Sequence, residues 1–304
     1  MDRIFDALII GGGAAGLSAA LTLGRACRSV LICDDGRPRN RAAKELHGFL
    51  TREGTPPEEL LKIARADLEQ YPSVSFLAAH AAQVTREADA FEATTLGGER
   101  IRARTVLLAM GVYDALPPVP GLSDVWGRSV FVCPYCDGWE LRKRRVAVLG
   151  KGKRAVELAQ ELYQWTTDLL VCMDGEDGLT PKHQRWLERT GAEVRREALS
   201  GVEENGGGVR LNFEQGKHAA AEALFLCAPL RQRYPLVEML GCTIDEDGNI
   251  EADDRGRTRA RGVYAAGDCV TNVHQVILAA ASGVCAAMAL NEDLLAADVE
   301  RLSL

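Results

Sequence analysis

Three things are missing from this 304-residue chain, and each absence narrows what it can be. There is no long run of Lys and Arg, and with 36 basic against 43 acidic residues the net charge is −7. No nucleic-acid or anionic-membrane partner is expected on that balance. No apolar stretch approaches the ~18 residues of a membrane-crossing helix, so no membrane span is expected. No second Cys-x-x-Cys or nearby Cys/His pair accompanies Cys133 and Cys136. Zinc wants four ligands, and no metal site is expected. No secretion signal is expected either, because "MDRIFD" leads directly into "ALII" and a glycine run, which reads as the start of a buried strand. Nine cysteines are an odd number, and Cys27, Cys33, Cys172, Cys227, Cys242 and Cys285 read as small buried apolar residues. This is a cytoplasmic pattern, in which a lone Cys-x-x-Cys is redox-active or metal-binding rather than a structural staple.

What is present is an ordinary globular composition, 47% hydrophobic and 26% charged, in a length that suits about two domains. Residues 5–10, "FDALII", read as a buried strand, followed by Gly11, Gly13 and Gly16 in G-x-G-x-x-G spacing and a helix through about Leu23. A second strand, "SVLICD", ends in Asp34, with Asp35 next to it. Gly11 suits a tight turn, Gly13 a close approach of backbone to a pyrophosphate, and Gly16 close packing of helix on strand. The helix N-terminus offers N–H groups to phosphate, and an acid after the second strand can accept a ribose hydroxyl. Strand, turn, helix, strand and acid in that order point to a dinucleotide site.

The unit recurs 139 residues on. "RVAVLG" reads as a strand, Gly150, Gly152 and Ala155 repeat the spacing, a helix runs to about Trp165, and "DLLVCMD" is the next strand. Near the other end, the strand in "GVYAAGDCV" delivers Gly267 and Asp268 to a small-residue helix running to about Ala289. Between the two repeats lies "CPYCDGWE". Cys-Pro-Tyr-Cys alone resembles a glutaredoxin active site, but a glutaredoxin has about 100 residues and its dithiol follows the first strand of a small βαβ unit. A Cys-x-x-Cys pair opening a helical turn favours thiolate on the first cysteine. Asp137, directly behind it, suits proton transfer to and from thiols, or simply an Asp-Gly turn.

The order of these features (glycine fingerprint, C-x-x-C-D, second fingerprint, Gly-Asp near the C-terminus) resembles the low-molecular-weight thioredoxin reductases over nearly the whole chain. The resemblance implies an α/β fold of two Rossmann-like nucleotide-binding domains. An FAD domain, 1–112 and 240–304, would be interrupted by a central domain, 113–239, that carries the dithiol. It implies FAD, held by Gly11, Gly13, Gly16, Asp34 or Asp35, Asn40, His47, Gly111, Gly267, Asp268, His274 and Gln275. It implies Cys133, Cys136 and Asp137 as the catalytic set, Cys136 lying nearest the flavin. A thioredoxin-like protein or a small disulfide or dithiol would be the substrate, and a homodimer the working form.

The chain departs from the family where NADPH should bind. A cluster of the His-Arg-Arg type is replaced by Met173, Asp174, Gly175, Glu176 and Asp177, and carboxylates there repel a 2′-phosphate. The family's Gly-[His/Arg]-x-Pro-Asn stretch is replaced by Ala228, Pro229, Leu230 and Arg231, and its Tyr-Arg-Gln by Val273, His274 and Gln275. NADPH is therefore not the expected donor. Asp174 suits an NADH ribose, while Lys151, Lys153 and Arg154 around Gly150 and Gly152 suit an anion such as a second flavin's phosphate, or are a solvated basic loop. Ferredoxin is the remaining donor class. The rival readings are an oxygen-using dithiol oxidase, an NADH-dependent reductase and a non-catalytic FAD-binding protein.

Overall fold

The computed structural model describes residues 3–175, 178–232 and 235–303. Its chain divides into two compact units, one formed by Met1–Arg41, Pro57–Tyr113 and Leu230–Leu304, the other by Ala42–Pro56 and Asp114–Pro229. Two differences from the expected boundaries have physical causes. The chain re-enters the first unit at Leu230, ten residues before the expected 240, because Leu236, Val237, Leu240 and Cys242 pack into the core around Leu8, Val106 and Val263. Residues 42–56 leave the first unit altogether. They close on themselves through Leu46 and Thr55, and Ala42 packs so tightly on Gly127 that a Cβ there would lie 2.5 Å from that of Ala42.

The first unit is built on a seven-stranded sheet. Six strands follow the order Val74–Ala78, Val30–Asp34, Ile4–Ile10, Arg100–Leu108, Ala90–Thr95 and Ala81–Glu87, and the seventh, Val263–Ala265, pairs with Arg100–Leu108 off this path. Ala7–Ile10 are all buried, as a parallel strand covered on both faces must be. Arg100–Leu108 pairs antiparallel with Ala90–Thr95 over its first half, and its second half pairs parallel with Val263–Ala265. Ile4–Ile10, Arg100–Leu108 and Val263–Ala265 therefore finish level with one another, Ile10 opposite Leu108 and Leu108 opposite Ala265. This brings both candidate cofactor turns, after Ile10 and after Ala265, to the carboxyl end of one sheet, where open α/β folds bind ligands.

The helices Ala14–Arg25 and Val276–Leu302 lie against each other on this sheet. Small residues permit the approach: a Cβ at Gly283 would sit 2.0 Å from the Ala15 carbonyl oxygen. The C-terminal helix is 27 residues long and by length and composition apolar enough to cross a membrane, which corrects the expectation from the sequence. Serine, glycine and alanine interrupt the aliphatic residues and hide the run from a search for unbroken apolar stretches. In this fold the helix buries Ala286, Ala287, Leu290 and Leu294, and Arg28, Arg104 and Arg257 pair with its Asp298 and Asp293.

The second unit has a five-stranded parallel sheet ordered Glu193–Arg195, Leu169–Cys172, Val146–Leu149, Ala223–Leu226, Val130–Phe131. The helix Lys153–Leu162 covers one face and a three-stranded antiparallel sheet, 199–221, the other. Its first strand, Val130–Phe131, is the sheet edge and runs directly into Cys133. Of the cysteines read as buried, Cys27 and Cys285 are instead exposed and Cys227 is half-buried. Cys27 follows the end of a helix with φ of 59°, and Cys285 lies on the outer side of the long helix.

Candidate active site

In the first unit the glycine turn has no slack. Gly11 has φ +107°, and a Cβ there would lie 2.3 Å from the Ala109 carbonyl oxygen; one at Gly16 would lie 1.9 Å from that of Gly11. Gly13 differs, with nothing within 4 Å of its Cβ position. It caps the helix Ala14–Arg25 without a side-chain hydrogen bond, so the first turn presents backbone N–H groups to open space. Asp34 leans over this turn: a Cβ at Gly12 would meet its carboxylate at 2.6 Å, and its Oδ2 accepts from Arg65 at 2.7 Å. Asp35 turns elsewhere, with Oδ2 3.3 Å from His80 Nδ1. Of the two acids, Asp34 is the one at the fingerprint.

The Gly267–Asp268 turn completes this end of the sheet. Gly267, at φ +82°, packs on Ala15 and donates its N–H to Ser282. Asp268 opens a three-residue 3-10 turn, and the long helix begins only at Val276, with Gln275 as its uncapped N-terminal boundary. His274 Nε2 lies 2.7 Å from the Thr271 carbonyl, which ties it to its own loop. Arg39 Nη1 stands 3.6 Å from Asp268 Oδ2. Sequence reasoning named half-buried Asn40 and missed Arg39; a basic residue in a loop gives no signal until the fold brings an acid to it. Gly111, at φ +62°, faces open space. Two helix N-termini without side-chain caps, room beside Gly13 and Gly111, and carboxylates at 34 and 268 fit a dinucleotide with its phosphates at N–H groups and its hydroxyls at acids.

The dithiol lies in the second unit. Cys133 and Cys136 form a disulfide with Cα atoms 5.3 Å apart. Cys133 precedes a single helical turn, Pro134–Asp137, and its carbonyl accepts from the N–H of Cys136 and of Asp137. Proline suits the first helical position, where no N–H partner is needed. Gly138 lets the Trp165 ring pack against the turn: a Cβ there would lie 2.9 Å from the indole. Tyr135 meets Trp165 edge-on and is 67% exposed, and Trp139, capped by Arg142, is 63% exposed.

Burial pushes the Asp137 carboxyl up to about 7; Glu140 adds to the rise and His47 opposes it. His47, expected among the cofactor residues, belongs to the 42–56 segment of the dithiol unit, and its partners are Glu53, Glu45 and Glu140.

The second fingerprint keeps the shape of the first. Gly152, at φ +52°, caps the helix Lys153–Leu162 without a side-chain bond. A Cβ at Gly150 would lie 2.9 Å from Cys227 Sγ, which donates to the Arg154 carbonyl. Lys151, Lys153 and Arg154 are exposed and Met173 is buried. Asp174 Oδ1 accepts from the Leu199 N–H at 3.4 Å, joining the end of its strand to the antiparallel sheet. Glu176 and Asp177 lie outside the described residues.

Residues 5–283 match the family model described as pyridine nucleotide-disulphide oxidoreductase. The chain is 32% identical over 310 residues to the thioredoxin reductase tcpT of Claviceps purpurea, covering 97% of this chain and 96% of that one. Among solved structures, it resembles a putative thioredoxin reductase from Bacillus anthracis with a TM-score of 0.92 at 31% identity, over 97% and 99% of the two chains. An oxidoreductase from Agrobacterium tumefaciens is similar with a TM-score of 0.91 at 33% identity, over 96% and 99%.

Proposed function

The chain belongs to the pyridine nucleotide-disulphide oxidoreductase family, as a thioredoxin-reductase-like, flavin-dependent disulfide oxidoreductase, and from that premise we propose that it exchanges two electrons between FAD and the Cys133–Cys136 dithiol, with a donor other than NADPH. The observation that carries the reading is the Cys133–Cys136 disulfide on a helical turn with a half-buried carboxyl directly behind it.

FAD, when bound, supplies a reversible two-electron carrier. Gly13 and the first N–H groups of Ala14–Arg25 would hold its pyrophosphate and Asp34 a ribose. Asp268, Arg39 and the start of Val276–Leu302 would hold the remainder. In one half-reaction two electrons break the Cys133–Cys136 bond and two protons join the sulfurs. In the other, a thiolate attacks a substrate disulfide, and the second cysteine displaces the mixed disulfide. The substrate S–S bond is then broken, the protein S–S bond is restored, and both protons leave on the substrate thiols. Asp137, half-protonated near pH 7, both gives and accepts a proton in this sequence.

Against NADPH stand the buried Met173, the acid at 174 and the absence of a basic cluster at 173–175. Engagement of Asp174 by Leu199 weakens the case for an NADH ribose, which leaves reduced ferredoxin or a second flavin above the Lys151–Arg154 loop. The substrate is a thioredoxin-like protein or a small disulfide. The enzyme acts in the cytoplasm as a homodimer, for which the exposed Ile277, Val284, Met288 and Leu295 of the long helix supply an apolar face.

The test is anaerobic flavin reduction in a stopped-flow mixer with NADPH, NADH and reduced ferredoxin in turn, with flavins counted per chain. Reduction by ferredoxin, or two flavins per chain, is the expected result. Fast reduction by micromolar NADPH overturns the donor reading, and fast reduction by NADH replaces it with the Asp174 route. Oxygen uptake driven by a small dithiol would make the enzyme an oxidase. No turnover with any donor or dithiol would leave an FAD-binding protein.

A further inference from the structure

The segment 42–56 places a histidine where the dithiol unit has need of a charge. Leu46 and Thr55 close it, with Leu46 N–H donating to Thr55 and Gly54 N–H to Leu46, and Leu46 is buried beneath. Within that loop Glu53 grips His47 with one oxygen, Oε1 to Nδ1 at 2.7 Å, while Oε2 accepts from the Gly48 N–H at 2.9 Å. The ring is thus oriented, and its Nε2 stands 4.0 Å from Glu140 Oε1 and 4.0 Å from Glu45 Oε2. Glu140 lies three residues beyond Asp137.

We propose that His47 is a positioning residue for the dithiol: held by Glu53, it works against Glu140 to set the charge on the half-buried Asp137 carboxyl behind Cys136, and so the pH range over which that carboxyl exchanges protons with the sulfurs. This rests on Asp137 being the proton carrier. Two charged groups act on Asp137, Glu140 raising its pKa and His47 lowering it. Glu53, Glu140 and Glu45 act on His47. Burial alone would depress the imidazole, but these three carboxylates outweigh it and raise it, which keeps the ring cationic to higher pH. With His47 cationic, Asp137 loses its proton more readily; with His47 absent, Asp137 holds it longer. Glu140 does the reverse, so the two side chains bracket the carboxyl with opposite signs.

The opposition makes the proposal testable in the holoenzyme. The midpoint of the Asp137 carboxyl is followed by carbon-13 NMR of selectively labelled aspartate. Alongside it, the rate at which iodoacetamide alkylates the reduced dithiol is measured from pH 5 to 9. His47→Gln is expected to move both profiles up by about half to one pH unit, the scale of one partly screened charge nearby. Glu140→Gln is expected to move them down, and the double variant to return towards the wild type. His47→Arg, which keeps the charge, restores the wild-type midpoint, and Glu53→Gln shifts it in the direction of His47→Gln by less. Flavin content and circular dichroism check that each variant is folded. An Asp137 midpoint unmoved in folded His47→Gln, or moved the same way by His47→Gln and Glu140→Gln, overturns the proposal. Full disulfide exchange by Asp137→Asn, with the shifts intact, defeats the proton-carrier reading instead.

Discussion

The two glycine fingerprints of this chain have nearly the same backbone and different equipment. The first surrounds open space with a helix N-terminus, an acid leaning over the turn and a second turn, Gly267–Asp268, at the same sheet end. In the second, the helix start is again uncapped, but Cys227 packs against Gly150 and the acid at 174 accepts a hydrogen bond from the backbone of a neighbouring sheet. A strand-turn-helix signature therefore reports the scaffold, and the acid after the next strand reports the ligand. In the second unit the disulfide lies away from the fingerprint, beyond the sheet edge, where Val130–Phe131 feeds the Cys133–Cys136 turn. The units should accordingly fail separately when mutated.

The largest separation is expected at the cysteines. Cys133→Ser or Cys136→Ser leaves no way to form or break the internal bond, so disulfide exchange should fall by a factor of about a thousand or more. Flavin content should stay that of the wild type. Full turnover by either variant, or loss of flavin from both, would break the division of labour between the units.

Asp137 gives the next largest effect, and its sign is specific. Burial raises its pKa from 3.8 to about 7, so the folded protein binds this proton more tightly than the unfolded chain does. The stability linked to it is fully present below about pH 4 and is lost as pH rises through about 7. A shift of about three units corresponds to at most about 4 kcal/mol. Asp137→Asn does not pay that cost, so its stability relative to the wild type should grow between pH 4 and 8 in denaturant titrations. A constant difference across that range would show that the carboxyl is not held protonated.

Much of this was legible in the sequence, and the parts that were not share a cause. Gly11, Gly13, Gly16, the repeat at Gly150 and the C-x-x-C-D run are local patterns whose spacing carries their geometry. Membership of 42–56 in the dithiol unit, the meeting of Arg39 with Asp268, and the ring of carboxylates around His47 all arise from residues far apart in the chain or in segments without periodicity. The antiparallel strands 81–95 and 199–221 were invisible for a related reason: they are short and half-polar, and their partners decide their state. Asp174 shows the limit most clearly. Its position 19 residues after Ala155 matches a ribose acid, yet the antiparallel sheet brings the Leu199 N–H to its carboxylate.

Substitution at the fingerprints themselves then sharpens the comparison. A methyl group at Gly13 meets no protein atom within 4 Å, and the residue's φ of −79° accepts alanine. Gly13→Ala should therefore leave the flavin-free protein within about 1 kcal/mol of its original stability. FAD affinity should drop by roughly tenfold or more, because the methyl enters the space the pyrophosphate needs. Gly152→Ala should reverse this pattern, costing about 1–3 kcal/mol for a non-glycine residue in this sparsely allowed conformation at φ +52° while leaving the first unit's FAD affinity unchanged.

The smallest effects, at the two acids, are the most informative. Asp34 stands over the first turn with Arg65 as its partner, so Asp34→Asn removes a charged acceptor from a ribose hydroxyl and should weaken FAD about tenfold. Asp174→Asn removes only a charge that accepts one long backbone hydrogen bond. An amide oxygen can still accept from Leu199, so stability should change by less than about 1 kcal/mol and flavin affinity not at all. Equilibrium dialysis of FAD and of NADH against both variants measures the contrast directly. If Asp174→Asn weakens NADH binding tenfold while Asp34→Asn leaves FAD untouched, the assignment of ligand-holding acid to the first unit and structural acid to the second is reversed.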